Sequence, residues 1–79
     1  MRWRLKTFIL HANQTVYVRS RGKHWHPETL RSKPTLSVRA KSLTEAIEKA
    51  KEQVRKRYDH GDTEVTGVDL TVALHRELS

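Results

Sequence analysis

Hydrophobic and polar residues alternate over the first 21 residues of the chain, and this period of two predicts two β-strands. The first strand covers residues 2–11, where Phe8 and Leu10 break the alternation and indicate a bulge or burial on both faces. Residues 12–14 are typical of a short turn, and the second strand covers residues 15–21. The expected inward residues are Trp3, Leu5, Ile9, Val16 and Val18, and the expected outward residues are Arg2, Arg4, Lys6, Tyr17, Arg19 and Arg21.

Two further strands are predicted later in the chain, separated from the first pair by a long loop. Residues 22–34 have no period and contain one glycine and two prolines, which is typical of a long connecting loop. Alternation returns over residues 35–41 and again after Gly67, which is expected to mark a bulge or the start of the last strand. The expected inward residues are Leu36, Val38, Ala40, Val68, Leu70, Val72 and Leu74, with Ser37, Arg39 and Lys41 outward.

One amphipathic helix is predicted between the third and last strands. Ser42 is a typical N-cap residue, and Glu45 three positions later completes a capping box. Gly61 lies where the helix is expected to have ended. The apolar residues that recur at helical spacing are Leu43, Ala46, Ile47, Ala50, Val54 and Tyr58.

The predicted order is therefore β-β-β-α-β in a single domain spanning residues 1–79. The inward residues of four strands form one apolar sheet face, and the helix supplies its cover, so we expect a two-layer α+β fold. The sheet is expected to be antiparallel or mixed, with the last strand beside the first.

Charge is distributed unevenly along the chain. The 57 residues before Tyr58 contain 15 basic residues (Lys and Arg) and 4 acidic residues (Asp and Glu), which gives a net charge of +11. The last 22 residues contain 1 basic and 5 acidic residues, which gives a net charge of −4. Such a field attracts polyanions, which favours DNA or RNA as the partner. The longest apolar run has three residues, and no segment pairs a basic face with a large apolar one, so a membrane partner is not expected and the cytoplasm is the expected location.

The sheet face opposite the helix is the first candidate binding surface. Cations from neighbouring strands would repel one another there, and a bound phosphate backbone would relieve that repulsion. Tyr17 on the same face is suited to stacking on a base. With the long loop included, the expected nucleic-acid-binding residues are Arg2, Arg4, Lys6, Tyr17, Arg19, Arg21, Lys23, Trp25, Arg31, Lys33, Arg39 and Lys41.

The 22–34 loop also supports a second hypothesis. Trp25 lies among cations and is expected either to fold back onto the core or to be exposed, and an exposed tryptophan is a frequent anchor of protein interfaces. The chain is then a small regulatory or inhibitory protein, of the kind that mobile elements encode, whose partner is acidic or handles nucleic acid. Oligomeric state stays open at this point.

The sequence contains no motif for catalysis or for a cofactor. It has no cysteine, no nucleophile elbow, no P-loop and no His-Glu metal motif, so a non-enzymatic protein is expected. His24 and His26 share one face of an extended segment, but no third ligand has the spacing of a metal site, and no metal is expected.

The segment 36–51 (LSVRAKSLTEAIEKAK) resembles two families. One is the arm-type DNA-binding domain of tyrosine integrases, in which a three-stranded sheet backed by a helix enters the major groove; this resemblance implies that Tyr17, Arg19, Arg39 and Lys41 read DNA. The other is the HicB-type antitoxin, which has a β-β-β-α-β core with a similar helix start and binds a toxin.

Overall fold

A long central strand organises the sheet. The computed structural model describes residues 4–22 and 27–78. Its elements are β1 (Lys6–Ser20), β2 (Glu28–Ser32), β3 (Thr35–Ala40), α1 (Leu43–Tyr58) and β4 (Thr63–Leu78). The predicted β-β-β-α-β order and the α+β class are confirmed, and all strand pairs are antiparallel. β4 lies beside β1, as predicted.

β1 is one unbroken strand, so the turn predicted at residues 12–14 is wrong. Asn13 pairs with Thr71 of β4, and its neighbours on both sides are paired as well. The buried side chains of β1 all lie at even positions, and they are Phe8, Leu10, Ala12, Gln14, Val16 and Val18. The inward placement of Leu5 and Ile9 is therefore also wrong, because the face turned to the helix is the even-numbered one; Trp3 lies outside the described residues.

β2 and β3 are the two halves of one edge strand. The last pair of β2 is Gln14–Ser32 and the first pair of β3 is His11–Thr35, so three positions on β1 correspond to three positions on the edge strand. Both halves therefore share one register on β1. The ladder is interrupted at Pro34, whose carbonyl accepts from the Ala12 N–H at 3.1 Å but whose nitrogen has no proton to donate. We call residues 28–40 the split edge strand. Its first half lies inside the segment 22–34, so the prediction of a loop is wrong for residues 28–32, which pair with β1 and carry no alternation because β2 is exposed on both faces.

The helix begins and packs as its sequence predicts. The Glu45 N–H donates to the Ser42 hydroxyl at 3.2 Å, which confirms the N-cap. Ala46, Ala50 and Val54 are buried against the sheet, and α1 ends before Gly61, which has a positive φ of 59°. Leu43, Ile47 and Tyr58 are half-buried at the margins of the two core clusters. The predicted apolar stripe is therefore confirmed.

β4 departs from regular alternation at two places along β1. Its register shifts at Thr66 and again at Ala73, where one extra residue is inserted opposite β1. The first shift lies next to Gly67, where a bulge was one of the two predicted outcomes. The second turns Leu74 away from the helix, so its predicted inward placement is wrong, and the side chain is 61% exposed.

The helix covers only part of one sheet face. Sixteen helical residues extend about 24 Å, whereas the fifteen residues of β1 extend about 50 Å. α1 packs against β1, β3 and β4 and does not contact β2. β2 is therefore exposed along its whole length, and Leu30 is 38% exposed although its partner Val16 is fully buried.

The N-cap predicts a measurable contribution to stability. Replacing Ser42 with alanine should lower the free energy of unfolding by about 1 kcal/mol, because one N–H of the first turn loses its acceptor. Chemical denaturation should show this loss, whereas Ser42→Asp should keep most of the stability because aspartate also accepts this hydrogen bond. Equal stability of Ser42→Ala and the natural protein would contradict the assignment.

Candidate nucleic-acid interface

The sheet face turned away from α1 is uncovered over the described residues. It consists of the odd-numbered residues of β1 and the residues opposite them, and we call it the open face. The structure places Arg39 opposite Thr7, Arg76 opposite Ile9, and Arg31 opposite Thr15. Continuing the register of the split edge strand places Lys33 opposite Asn13 on the same face. Cations therefore lie along most of the length of this face.

One end of the open face combines two arginines with an apolar strip. Leu74 lies opposite His11 and Leu78 opposite Thr7, and they are 61% and 45% exposed. Ile9 lies between these positions on β1, with Arg76 directly opposite it and Arg39 opposite Thr7, two positions along β1. This end can bind either an aromatic or an aliphatic group together with an anion.

A shallow hollow lies near the middle of the open face, beside the interruption at Pro34. The hollow measures about 290 Å³, and Asn13, Thr15, Arg31 and Lys33 line it. Two cations and two neutral hydrogen-bonding side chains are the groups that commonly contact phosphate oxygens. No acidic residue lines this hollow within the described part of the chain.

Three of the predicted binding cations instead form ion pairs with acidic residues near the end of the chain. Arg19 donates two hydrogen bonds to Glu64, at 2.9 and 3.1 Å. Arg21 bonds Asp59 at 2.6 Å, and Lys6 bonds Glu77 at 2.7 Å. Their charge is thus partly compensated inside the protein.

Lys6 also lies on the other side of the sheet, so its predicted outward placement is wrong. It pairs with Ala40, whose side chain is fully buried under the helix. Because residues directly opposite each other in a sheet share a face, Lys6 points to the helix side at the end of β1. The alternation starting at Arg2 led to the wrong face because Arg4 and Leu5, which the alternation includes, lie outside the strand.

Tyr17 is on the open face, as predicted, and is 40% exposed. Its hydroxyl donates to Asp69 at 3.0 Å, and this hydrogen bond to the carboxylate raises the pKa of Tyr17 above its ordinary value. The ring lies over Gly67, where an added Cβ would be 3.4 Å from ring carbon Cδ2. The tyrosine is thereby held in one orientation.

The remaining predicted residues divide into two groups. Arg4 and Lys41 are exposed, the first before β1 and the second just after β3. Arg2, Lys23 and Trp25 lie outside the described residues, as do His24 and His26. Within residues 4–22 and 27–78, no group of three or more acidic or histidine residues is arranged to hold a metal ion. The helix in the same part of the chain does not have the length or the apolar character to cross a membrane.

Arg76 is the open-face cation that the sequence pattern missed. Strict alternation through Leu70 and Val72 places residue 76 on the helix side. The extra residue at Ala73 reverses this, and nothing in the local sequence signals a bulge at an alanine.

Comparison with known proteins gives no relative. No protein-family model, no curated protein and no solved structure matches the chain. Neither resemblance of the 36–51 segment is supported by a match.

The two ion pairs at the start of β4 predict destabilisation in acid. Donation from the Val65 N–H and from Arg21 holds the pKa of Asp59 below its ordinary value, and Arg19 does the same for Glu64. A carboxylate with a lowered folded pKa stabilises the protein above its unfolded pKa of about 4, and this is lost as the pH falls through the folded pKa. The melting temperature should therefore drop below about pH 4.

Variants at these carboxylates test the origin of the drop. The Asp59→Asn and Glu64→Gln variants should each have a lower melting temperature than the natural protein at neutral pH. Their melting temperatures should also fall less than that of the natural protein when the pH is lowered. Asp62→Asn, in the exposed turn before β4, is the control and should behave like the natural protein. An unchanged acid profile in both test variants would contradict the assignment.

Proposed function

We propose that the protein is a non-enzymatic nucleic-acid-binding module that uses its open face. The observation that carries this proposal is a set of open-face cations without acidic partners. Arg31, Lys33, Arg39 and Arg76 form no ion pair with any acidic residue that the structure describes. They extend along a face that no part of residues 4–22 and 27–78 covers.

The arrangement is costly for the isolated protein and favourable in a complex. Arg31 and Lys33 lie two positions apart on the same face of the split edge strand and repel, and folding itself gains nothing from leaving the open-face cations unpaired. A phosphate backbone offsets this repulsion and releases its counterions on binding. The eight residue-to-residue steps from Arg31 to Arg39 span about 26 Å of extended strand, enough to contact several successive phosphates.

Contacts of this kind position a nucleic acid without reading its sequence. Tyr17 and His11 add a ring and an imidazole for stacking or hydrogen bonding on the same face. In this proposal Arg19 and Arg21 have supporting roles, because Glu64 and Asp59 already bind them. The predicted contribution of Lys23 and Trp25 stays part of the proposal for the 22–34 segment.

The apolar strip favours a second candidate function. Leu74 and Leu78 are exposed beside Arg39 and Arg76, and apolar groups flanked by arginine are typical of protein interfaces. The partner would be an acidic protein, or one that handles nucleic acid, with Trp25 as a further anchor. Leu74→Ser and Trp25→Ala should then weaken protein binding and leave nucleic-acid affinity unchanged.

Salt-dependent titrations test the first proposal. Removing two open-face cations, as Arg39→Ala with Arg76→Ala or as Arg31→Ala with Lys33→Ala, should weaken binding to labelled DNA or RNA. The slope of log affinity against log salt should become shallower by about 1.4 to 1.8, since each lost phosphate contact contributes about 0.7 to 0.9. Fluorescence anisotropy at several salt concentrations measures both quantities.

A charge-matched control separates the open face from net charge. Lys51→Ala with Lys56→Ala removes the same charge from the exposed side of α1 and should leave the slope nearly unchanged. Equal losses in all three double variants would show that binding follows net charge alone, and the proposal would then be wrong.

A further inference from the structure

A groove of about 280 Å³ lies on the helix side of the sheet, on the opposite face from the cations described above. It exists because α1 packs against β1, β3 and β4 and leaves the split edge strand uncovered near Pro34. Pro34 and Leu36 form one wall, and Tyr58 at the end of the helix forms the other. Gln14, Gln53 and Arg57 supply its polar groups.

Gln14 is out of place in the apolar face on which it lies. Its neighbours on that face of β1, Ala12 and Val16, are buried, and Gln14 itself is only 5% exposed. Burying an amide is unfavourable unless its hydrogen bonds are satisfied. The Gln14 Nε2 group donates a hydrogen bond to the Ser32 hydroxyl at 3.3 Å. Within the described residues, this is the one hydrogen bond that the Gln14 side chain makes. Its carbonyl oxygen keeps its capacity to accept from a group in the groove.

The residues that line the groove indicate which kind of ligand would bind there. Two amides offer both donors and acceptors, Arg57 offers a cation, and no acidic side chain lines the groove within the described chain. A planar ring with hydrogen-bonding edges, apolar faces and an attached anion matches all of these features. The volume is slightly below the range of about 300–1,000 Å³ that small-molecule sites occupy, which suits one such ring.

We propose that this groove binds a single unpaired nucleobase, with Gln14 hydrogen-bonded to the edge of the base and Arg57 paired with its phosphate. This inference rests on the proposed function and extends it. Arg31 and Lys33 lie on the open side of the interruption at Pro34, and Gln14 and Ser32 line the hollows on both sides of it. A strand bound at Lys33 can therefore cross the sheet edge and place its next base in the groove.

The geometry predicts a preference for single-stranded nucleic acid. A base inside a duplex is stacked and paired, so it cannot enter a groove of this kind without being extruded. The open-face cations contact phosphates of either form, whereas the groove discriminates between them.

Nucleoside 5′-monophosphates are the direct probe of the groove. Titrated into ¹⁵N-labelled protein, they should shift the side-chain amide signals of Gln14 and Gln53 and the backbone signal of Tyr58. Ribose 5-phosphate carries the same anion without a base and should leave the Gln14 amide unchanged. Equal shifts with both compounds would show that the groove is only an anion site, and the inference would be wrong.

A matched pair of variants tests the role of Gln14 in the full chain. Gln14→Met keeps the size of the side chain and removes its hydrogen bonds, so it should weaken single-strand affinity roughly three- to tenfold, the loss expected for one hydrogen bond. Duplex affinity and the salt slope should not change. Thr44→Met, an exposed position on α1 away from both candidate surfaces, is the control and should leave the preference for single strands intact. If Gln14→Met unfolds the protein, Arg57→Ala on the groove rim tests the same loss of preference.

The outcomes separate this inference from the proposed function. Oligonucleotide binding that responds to the open-face variants but not to Gln14→Met or Arg57→Ala overturns the groove inference and leaves the proposed function standing. Monophosphates that shift the groove signals, in a protein that binds no oligonucleotide at physiological salt, overturn the proposed function and leave the groove as a nucleotide site.

Discussion

The pairing of β1 along both of its edges is the constraint on which the rest of the structure depends. Its even-numbered residues supply the central core row, and β4 and the split edge strand take their registers from it. The single helix of the described residues packs on one sheet face, so the other face stays open. Because the helix, at about 24 Å, is shorter than the strand, at about 50 Å, part of the helix-side face is also uncovered. The open face and the groove follow from these two facts.

The same pairing determines where the net positive charge acts. β4 brings the acidic end of the chain beside the basic beginning, and Glu64 and Glu77 bind cations of β1 there. Among the described residues, Arg76 and three residues of the split edge strand (Arg31, Lys33 and Arg39) are open-face cations without an ion pair. Part of the formal net charge of +7 is thus concentrated on one face of the sheet.

Local patterns in the sequence predicted the elements better than their faces. The Ser42 cap and the apolar stripe of α1 depend on residues that are close in sequence, so both could be predicted from the sequence. The continuity of β1 through Asn13 depends on a partner strand more than fifty residues away, and the face of Arg76 depends on an extra residue opposite β1. Long-range pairing leaves no periodic signal in a single strand, which is why Lys6 was assigned to the binding face and Arg76 was not.

The most direct test of the account is to map the bound surface on the natural protein. A short single-stranded oligonucleotide, titrated into ¹⁵N-labelled protein at about 0.15 M salt, should shift the backbone signals of the split edge strand, of odd-numbered β1 residues and of the end of β4. The signals of the outer side of α1, such as Lys51, should stay in place. Shifts confined to that side of the helix, or no saturable shift anywhere, would contradict the claim that the open face binds nucleic acid.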